Sequence, residues 1–111
     1  MTREKIPKGI ISMSILAVLW DKGGYGYLVQ KEVESLTGLS LSKGEIYSML
    51  RHLEIRGLIV KMDNSGKIRR TYYKTTDKGK IFFLSQKDVL AKSIKAIQDL
   101  EKFIEDHSAN C

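Results

Sequence analysis

The sequence predicts a mainly α-helical fold with one small β-hairpin. Three segments have the period of an amphipathic helix, and each is followed closely by a glycine. Two short runs rich in β-branched and aromatic residues then flank a turn signal. The last 30 or so residues return to the helical period. At 111 residues, with 42% hydrophobic and 29% charged residues, the chain is expected to form one globular unit.

The first two helices are predicted from apolar spacing and glycine stops. The first spans residues 8–21, which are too apolar in aggregate to be an exposed surface, and Gly23 and Gly24 end it. The second spans residues 27–37 and ends at Gly38. Three residues of the second helix are predicted to face inward: Leu28, Val29 and Val33.

The third helix carries the strongest local signals. Ser42 and Glu45 fit a capping box at its start, and Gly57 suits the left-handed position just past its end. Its predicted buried face consists of Ile46, Met49, Leu50 and Leu53. The opposite face is short-chained and partly basic, which fits either an ordinary surface helix or a helix docked on nucleic acid. The short connection from the second helix makes the pair a helix-turn-helix.

A β-hairpin, or wing, is predicted after the third helix. Its strands are residues 58–62 and 67–75, and the turn signal lies at residues 63–66. Tyr73 is expected in the core. Three basic residues lie close to the hairpin tip, where they can reach phosphate or a minor groove: Lys67, Arg69 and Arg70. The predicted architecture is therefore a winged helix-turn-helix.

Positive charge is concentrated on this part of the chain. Residues 43–80 hold ten Lys and Arg against four Asp and Glu, which accounts for the whole net charge of +6. Residues 1–42 contribute +1 and residues 81–111 contribute −1. A basic region confined in this way favours a polyanionic partner, because neutralising phosphates releases condensed counterions.

The final helix is predicted to run without a break from Thr76 or Asp77 to about Asp106. At roughly 45 Å it is too long to be covered by one small winged domain. We expect part of it to pack on the first helix and the remainder on a second subunit. Residues 1–76 then form the winged domain and residues 77–111 the dimerisation helix. The apolar stripe expected at the dimer interface is Phe83, Leu90, Ile94, Ile97, Leu100 and Ile104.

The sequence disfavours a membrane protein, a metal site and an enzyme. No apolar run approaches the roughly 20 residues of a bilayer span, and no secretory signal is visible, so a cytoplasmic protein is expected. His52 and His107 lack further ligands at metal-binding spacing, and no cofactor is implied. No nucleophile and base stand at a recognisable spacing. Cys111, the only cysteine, cannot form an internal disulfide.

Six segments in order give the chain a family resemblance. They are Ile15–Leu19, Gly26-Tyr27, Gly44–Leu50, Leu53-Glu54, Gly57–Ile59 and Arg70–Gly79. The chain resembles the PadR-like transcriptional regulators, a winged helix-turn-helix family with dimerising C-terminal helices. Two residues depart from the family pattern: Tyr25 replaces a usual histidine and Thr75 a usual leucine. The single C-terminal helix is similar to the short form of the family.

The predicted function is sequence-specific binding of double-stranded DNA by a homodimer that acts as a repressor. Two alternatives remain open: an architectural protein that coats DNA, and a winged-helix module that binds protein. Trp20 could line a ligand pocket or simply pack at the core or interface, and an effector is left undecided. The predicted DNA contacts are Lys43, Gly44, Tyr47, Ser48, Arg51, Lys67, Arg69 and Arg70.

Overall fold

The computed structural model describes residues 8–62 and 71–108. Five helices and three short strands make up this part of the chain, so the prediction of a mainly helical fold with a small β-element is confirmed. In chain order the elements are α1 (Lys8–Val18), β1 (Gly24–Tyr25), α2 (Gly26–Thr37), α3 (Lys43–Ile55), β2 (Ile59–Met62), β3 (Tyr72–Thr75), α4 (Asp77–Ser85) and α5 (Lys87–Ser108).

The core lies where α1, α2 and α3 pack together over the sheet. Its largest fully buried side chains are Ile11, Ile15, Leu16, Leu19, Val29, Val33, Ile46, Leu50, Leu53, Leu58 and Ile59. The predicted buried face of α3 is confirmed in full, and Tyr73 is buried as expected. Leu28 was predicted to face inward, which is wrong, because it is 37% exposed. Val29 and Val33, four residues apart, define the inward stripe of α2, and Leu28 lies a third of a turn away from it.

The first helix ends earlier than predicted. It stops at Val18 and not at residue 21. The carbonyl of Leu19 accepts a hydrogen bond of 3.0 Å from the amide of Thr75 in β3, and the amide of Trp20 bonds to Ala17 in a tighter turn. The helix therefore ends here, because the carbonyl of Leu19 bonds to the sheet and not to an amide of a further helical turn.

The predicted hairpin is part of a three-stranded antiparallel sheet in the order β1-β3-β2. Ile59 pairs with Thr75 and Met62 with Tyr72, as the hairpin requires. The additional strand β1 pairs Gly24 with Tyr73. Two residues are too few to give a β-period, so this strand could not be predicted from spacing. The predicted turn and the first part of the second predicted strand, residues 63–70, lie outside the described residues.

Gly23 fixes the approach of β1 to the sheet. Its φ is +72°, and a Cβ there would lie 2.4 Å from the carbonyl oxygen of Tyr73. Only glycine fits this combination of left-handed backbone and close approach. The neighbouring Tyr72 hydroxyl donates to the carbonyl of Lys22, so the same turn is also held from the sheet side.

The predicted single C-terminal helix is divided into α4 and α5. At Gln86 the amide bonds to the carbonyl of Phe83, three residues back, which interrupts the regular α-helical pattern. Phe83 lies on α4 and packs edge-on against Trp20, with ring centroids 4.9 Å apart. It therefore belongs to the contact of α4 with the chain's own core, apart from the five other residues of the predicted stripe, which all lie on α5.

A junction of two threonines ties α4 to the winged domain. The Thr75 hydroxyl donates to the carbonyl of Leu16 at 2.9 Å, so its polar group is satisfied although it is buried. The Thr76 hydroxyl donates to the carbonyl of Gly57 at 2.7 Å and caps α4 by accepting from the amide of Gly79. Residues from the ends of α1, α3 and β3 thus converge on the first turn of α4.

Candidate nucleic-acid interface

The start of α3 is fixed by the predicted capping box. The Ser42 hydroxyl accepts from the amide of Glu45 at 3.1 Å, and the Glu45 carboxylate accepts from the amide of Ser42 at 3.4 Å. Gly57 follows the helix with a φ of +76°, the left-handed position that was predicted. Both ends of α3 are therefore defined by local chemistry, and burial of one side fixes its rotation.

Five of the predicted contact residues share the outer side of α3, which we call the recognition face. All five are exposed: Lys43, Gly44, Tyr47, Ser48 and Arg51. Gly44 and Ser48 keep part of the recognition face free of long side chains, Tyr47 adds a phenol, and Lys43 and Arg51 add positive charge. A helix of this kind can approach a polyanion closely and still offer hydroxyl and guanidinium groups for hydrogen bonding.

The sheet end of the recognition face borders a shallow concavity of about 130 Å³. It is lined by Gly26, Tyr27, Tyr47, Thr71 and Tyr73, so the starts of α2 and β3 meet the side of α3 here. Tyr27 is 43% exposed and Tyr47 45%, which puts two phenol side chains on one edge of the surface. Tyr27 was not among the contact residues predicted from the sequence. The signal was an aromatic residue in the first turn of the helix that precedes the recognition helix.

Tyr73 forms the buried floor of this concavity. Burial raises the pKa of its hydroxyl above the ordinary value, the nearby charge of Glu54 adds to the rise, and Arg51 opposes it. The hydroxyl is consequently protonated at neutral pH. A Cβ on Gly26 would lie 3.1 Å from the Tyr73 ring, so glycine allows α2 to begin directly against this aromatic side chain.

The wing lies beside α3, and its described part is the paired stems β2 and β3. Lys61 on β2 forms an exposed ion pair of 3.8 Å with Glu54 on α3. Such a pair contributes little stability. The predicted contacts at the hairpin tip lie outside the described residues: Lys67, Arg69 and Arg70. The stems are nevertheless continuous with the side of α3 that carries Tyr47.

A groove of about 710 Å³ runs between α1 and α3, and two residues of the recognition face, Gly44 and Ser48, contribute to its lining together with Lys8 and His52. Among the described residues, no group of three or more His, Cys, Asp or Glu could hold a metal ion.

Trp20 packs against Phe83, and the Lys80 ammonium lies 5.4 Å from the centre of the Trp20 indole. Within the two described ranges, no helix is long and apolar enough to cross a membrane.

The known proteins to which this chain is similar include several transcriptional regulators. The model of the transcriptional regulator PadR-like family matches residues 15–84. A crystal structure of a Thermoplasma acidophilum protein, described as a transcriptional regulator, is 35% identical with a TM-score of 0.74, over 92% of this chain and 98% of that one. A PadR family transcription regulator from Clostridium difficile R20291 is 27% identical with a TM-score of 0.66, over 83% and 98%.

A protein of unknown function is similar to this chain over nearly the whole length of both. An uncharacterized protein of Lysinibacillus sphaericus is 30% identical over 104 residues, which are 90% of this chain and 94% of that protein. The matched family region runs from α1 to the end of α4 and thus includes α3, the wing and the threonine junction. The chain belongs to the PadR-like family of DNA-binding transcriptional regulators.

Proposed function

We propose that two copies of this chain bind an inverted repeat in double-stranded DNA and repress transcription from the adjacent promoter. One α3 from each copy enters the major groove, and the wing contacts the flanking backbone. Bound protein then excludes RNA polymerase. The chain acts by binding and not by catalysis, in the cytoplasm, where bacterial and archaeal DNA is accessible.

The observation that carries this proposal is the recognition face itself. Its five residues lie on a helix whose ends are capped and whose opposite face is buried, so their backbone positions are fixed before DNA is bound. Preorganised contacts bind with a smaller loss of conformational entropy than mobile ones. Tyr27, beside Tyr47 at the start of α2, is suited to hold a phosphate next to the groove.

Gly44 supports a close approach of the helix to its partner. A Cβ at this position would have only the Ser42 hydroxyl oxygen near it, at 3.9 Å, so the fold itself has room for alanine. Glycine is nonetheless less favourable than alanine in a helix by up to about 1 kcal/mol. A residue that weakens the helix without an internal reason suggests a requirement outside the chain.

Replacing Gly44 by alanine should therefore separate stability from binding. We expect Gly44→Ala to unfold at a temperature equal to or above that of the wild type, because helix propensity rises. Affinity for the preferred DNA should fall by about tenfold or more, which is about 1.4 kcal/mol. Thermal melting and DNA titration measure the two effects. A stabilised variant that binds DNA normally would remove Gly44 from the interface.

Binding should weaken steeply as salt is added, because the positive charge lies between residues 43 and 80. A protein that makes six to ten phosphate contacts loses about 10³–10⁵-fold in affinity between 50 and 200 mM salt. Titrations across a salt series give the slope. A flat series would contradict the electrostatic part of the proposal.

Substitutions at the predicted wing tip and on α3 should change the salt dependence of binding to different extents. Arg69→Ala combined with Arg70→Ala should weaken preferred and random DNA alike and make the slope shallower. Ser48→Ala should leave the slope unchanged and act mainly on the preferred sequence, by about 1–3 kcal/mol for a lost base contact. If the wing variant alone altered sequence preference, the two roles would be reversed.

Selection of bound sequences from a random DNA pool tests the function as a whole. At moderate salt we expect enrichment of one inverted repeat. Uniform recovery of unrelated sequences would instead indicate an architectural protein that coats DNA. No recovery at any salt concentration would indicate a winged-helix module that binds another protein.

A further inference from the structure

The groove of about 710 Å³ between α1 and α3 shares one edge with the recognition face. We call it the α1–α3 groove. Its lining follows α3 from Ser42 to Arg56, about 21 Å, and the first turn of α1 forms the other wall. Gly44 and Ser48 belong both to the recognition face and to this lining. The groove is therefore continuous with the surface through which α3 meets DNA.

The α1–α3 groove has an apolar floor and a positively charged rim. Ile11 and Met49 form the floor and are only 2% and 8% exposed. The Ser12 hydroxyl donates to the Met49 sulfur at 3.0 Å, which ties the two walls together. Lys8 on α1 and Arg56 at the end of α3 also line the groove, and both are exposed.

The charge of the rim is not compensated within the described part of the chain. Neither Lys8 nor Arg56 belongs to an ion pair there. The Arg56 guanidinium lies 4.9 Å from the centre of the Phe82 ring, which holds it in place while its edge keeps N–H donors for a ligand. The carboxylate in the lining, Glu45, already accepts from the amide and the hydroxyl of Ser42. Two cations therefore face one occupied carboxylate.

The α1–α3 groove and the wing lie on opposite flanks of the recognition face. On the wing side, Tyr47 borders the smaller concavity, and Glu54 pairs with Lys61 of β2. On the other side, His52 lines the α1–α3 groove. Tyr47 and His52 point about 140° apart around the axis of α3, because each residue of an α-helix turns by about 100°. The recognition face is thus bordered by polar or basic surface on both sides.

A helix in the major groove has one DNA backbone on each of its sides. With its side chains an α-helix is about 10–12 Å across, and the major groove is about 12 Å wide. When the recognition face meets the bases, both strands must therefore pass close to the flanks of α3. The wing and Tyr27 are placed beside one strand, and the α1–α3 groove is placed beside the other.

We propose that the α1–α3 groove binds the sugar–phosphate backbone of the strand that lies away from the wing. Lys8 and Arg56 contact phosphate, and the apolar floor accommodates deoxyribose. The proposal rests on DNA binding by the recognition face and adds a second backbone contact to it. Contacts on both flanks fix the depth and the direction of α3 in the major groove. Lys8 reaches this surface only through the fold, since it lies 35 residues before Lys43 in the sequence.

Neutralising the rim tests the contact through its salt dependence. Lys8→Gln combined with Arg56→Gln should weaken binding to the preferred DNA by about tenfold or more. The slope of log affinity against log salt should become shallower by about 1.8, because each phosphate contact contributes about 0.9. Lys8→Gln alone should change the slope by about 0.9, and it leaves the contact of Arg56 with Phe82 intact.

Lys92→Gln combined with Lys102→Gln is the matched control for charge. Both lysines are exposed on α5 and line neither concavity beside α3, so the same loss of charge should leave the slope unchanged. Circular dichroism and thermal melting check that each variant is folded. A folded Lys8→Gln protein with the slope of the wild type would overturn the proposal.

Replacing single phosphates by uncharged methylphosphonate locates the contact on the DNA. In the wild type, affinity should fall at phosphates on both sides of the major groove of each half-site. In Lys8→Gln, at least one phosphate on the side away from the wing should no longer affect affinity. A variant as sensitive as the wild type at every phosphate would overturn this second contact and leave the proposed function standing. Failure of the wild type to bind any DNA would overturn both.

Discussion

Ile97→Asp is expected to yield a monomer that has lost tight binding to its operator. An unpaired charge buried in an apolar interface costs about 3–5 kcal/mol, so the dissociation constant of the dimer should rise by at least about 100-fold. Binding of two linked half-sites exceeds binding of one by about 10²–10⁴-fold, and this advantage should disappear. Light scattering measures the mass, and titration with an inverted repeat measures the affinity.

Two controls make this result specific. The folded core should be intact in Ile97→Asp, because no residue of α5 is buried in the chain's own fold, so its circular dichroism should remain helical. Ala91→Asp adds the same charge on the side of α5 away from the stripe and should remain a dimer. If Ile97→Asp remained dimeric and bound the repeat normally, α5 would not form the subunit interface.

Gly79→Ala is expected to cause a large loss of stability where α4 packs against the winged domain. A Cβ at this position would lie 2.1 Å from the carbonyl oxygen of Leu58 and 2.9 Å from the Thr75 methyl group. Backbone cannot move aside as a flexible side chain can, so the cost should reach or exceed the upper end of the usual 1–3 kcal/mol for overpacking. The melting temperature should fall by about 10 °C or more.

Gly9→Ala is the matched control for this clash. Gly9 also lies in a helix, but nothing approaches its missing Cβ within 4 Å. The same change of residue type should therefore raise the melting temperature slightly, through helix propensity. Both variants are to be melted at one protein concentration, because association shifts the apparent stability. Equal melting temperatures for the two variants would contradict the close approach of α4 to Leu58.

Helices with strong local signals were predicted accurately, and the reason is physical. The capping pair Ser42 and Glu45, the spacing of the buried face of α3 and the glycine at position 57 all act within a few residues. The end of α1 and strand β1 depend instead on β3, which is about 50 residues away in sequence. Their positions are set by tertiary hydrogen bonds, so they could not be predicted from the local spacing of apolar residues.

The same distinction applies to the candidate site. Exposure of the recognition face followed from the helical period, because burying one side of α3 leaves the other side outward. Tyr27 was not selected, because its proximity to Tyr47 arises from the packing of α2 on α3 and cannot be seen within either helix. The break at Gln86 was missed for a related reason: the apolar pattern continues through it, although α4 packs on α1 and no residue of α5 is buried.

The threonine junction also bears on the DNA sequences that a dimer can accept. Thr76 joins α4 to Gly57, the residue that ends α3, so the direction of α4 is coupled to that of the recognition helix. The next departure from a regular helix is at Gln86. One extra base pair between half-sites displaces the second by about 3.4 Å and rotates it by about a tenth of a turn. Tolerance to operator spacing should therefore depend on how far the backbone at Gln86 can bend.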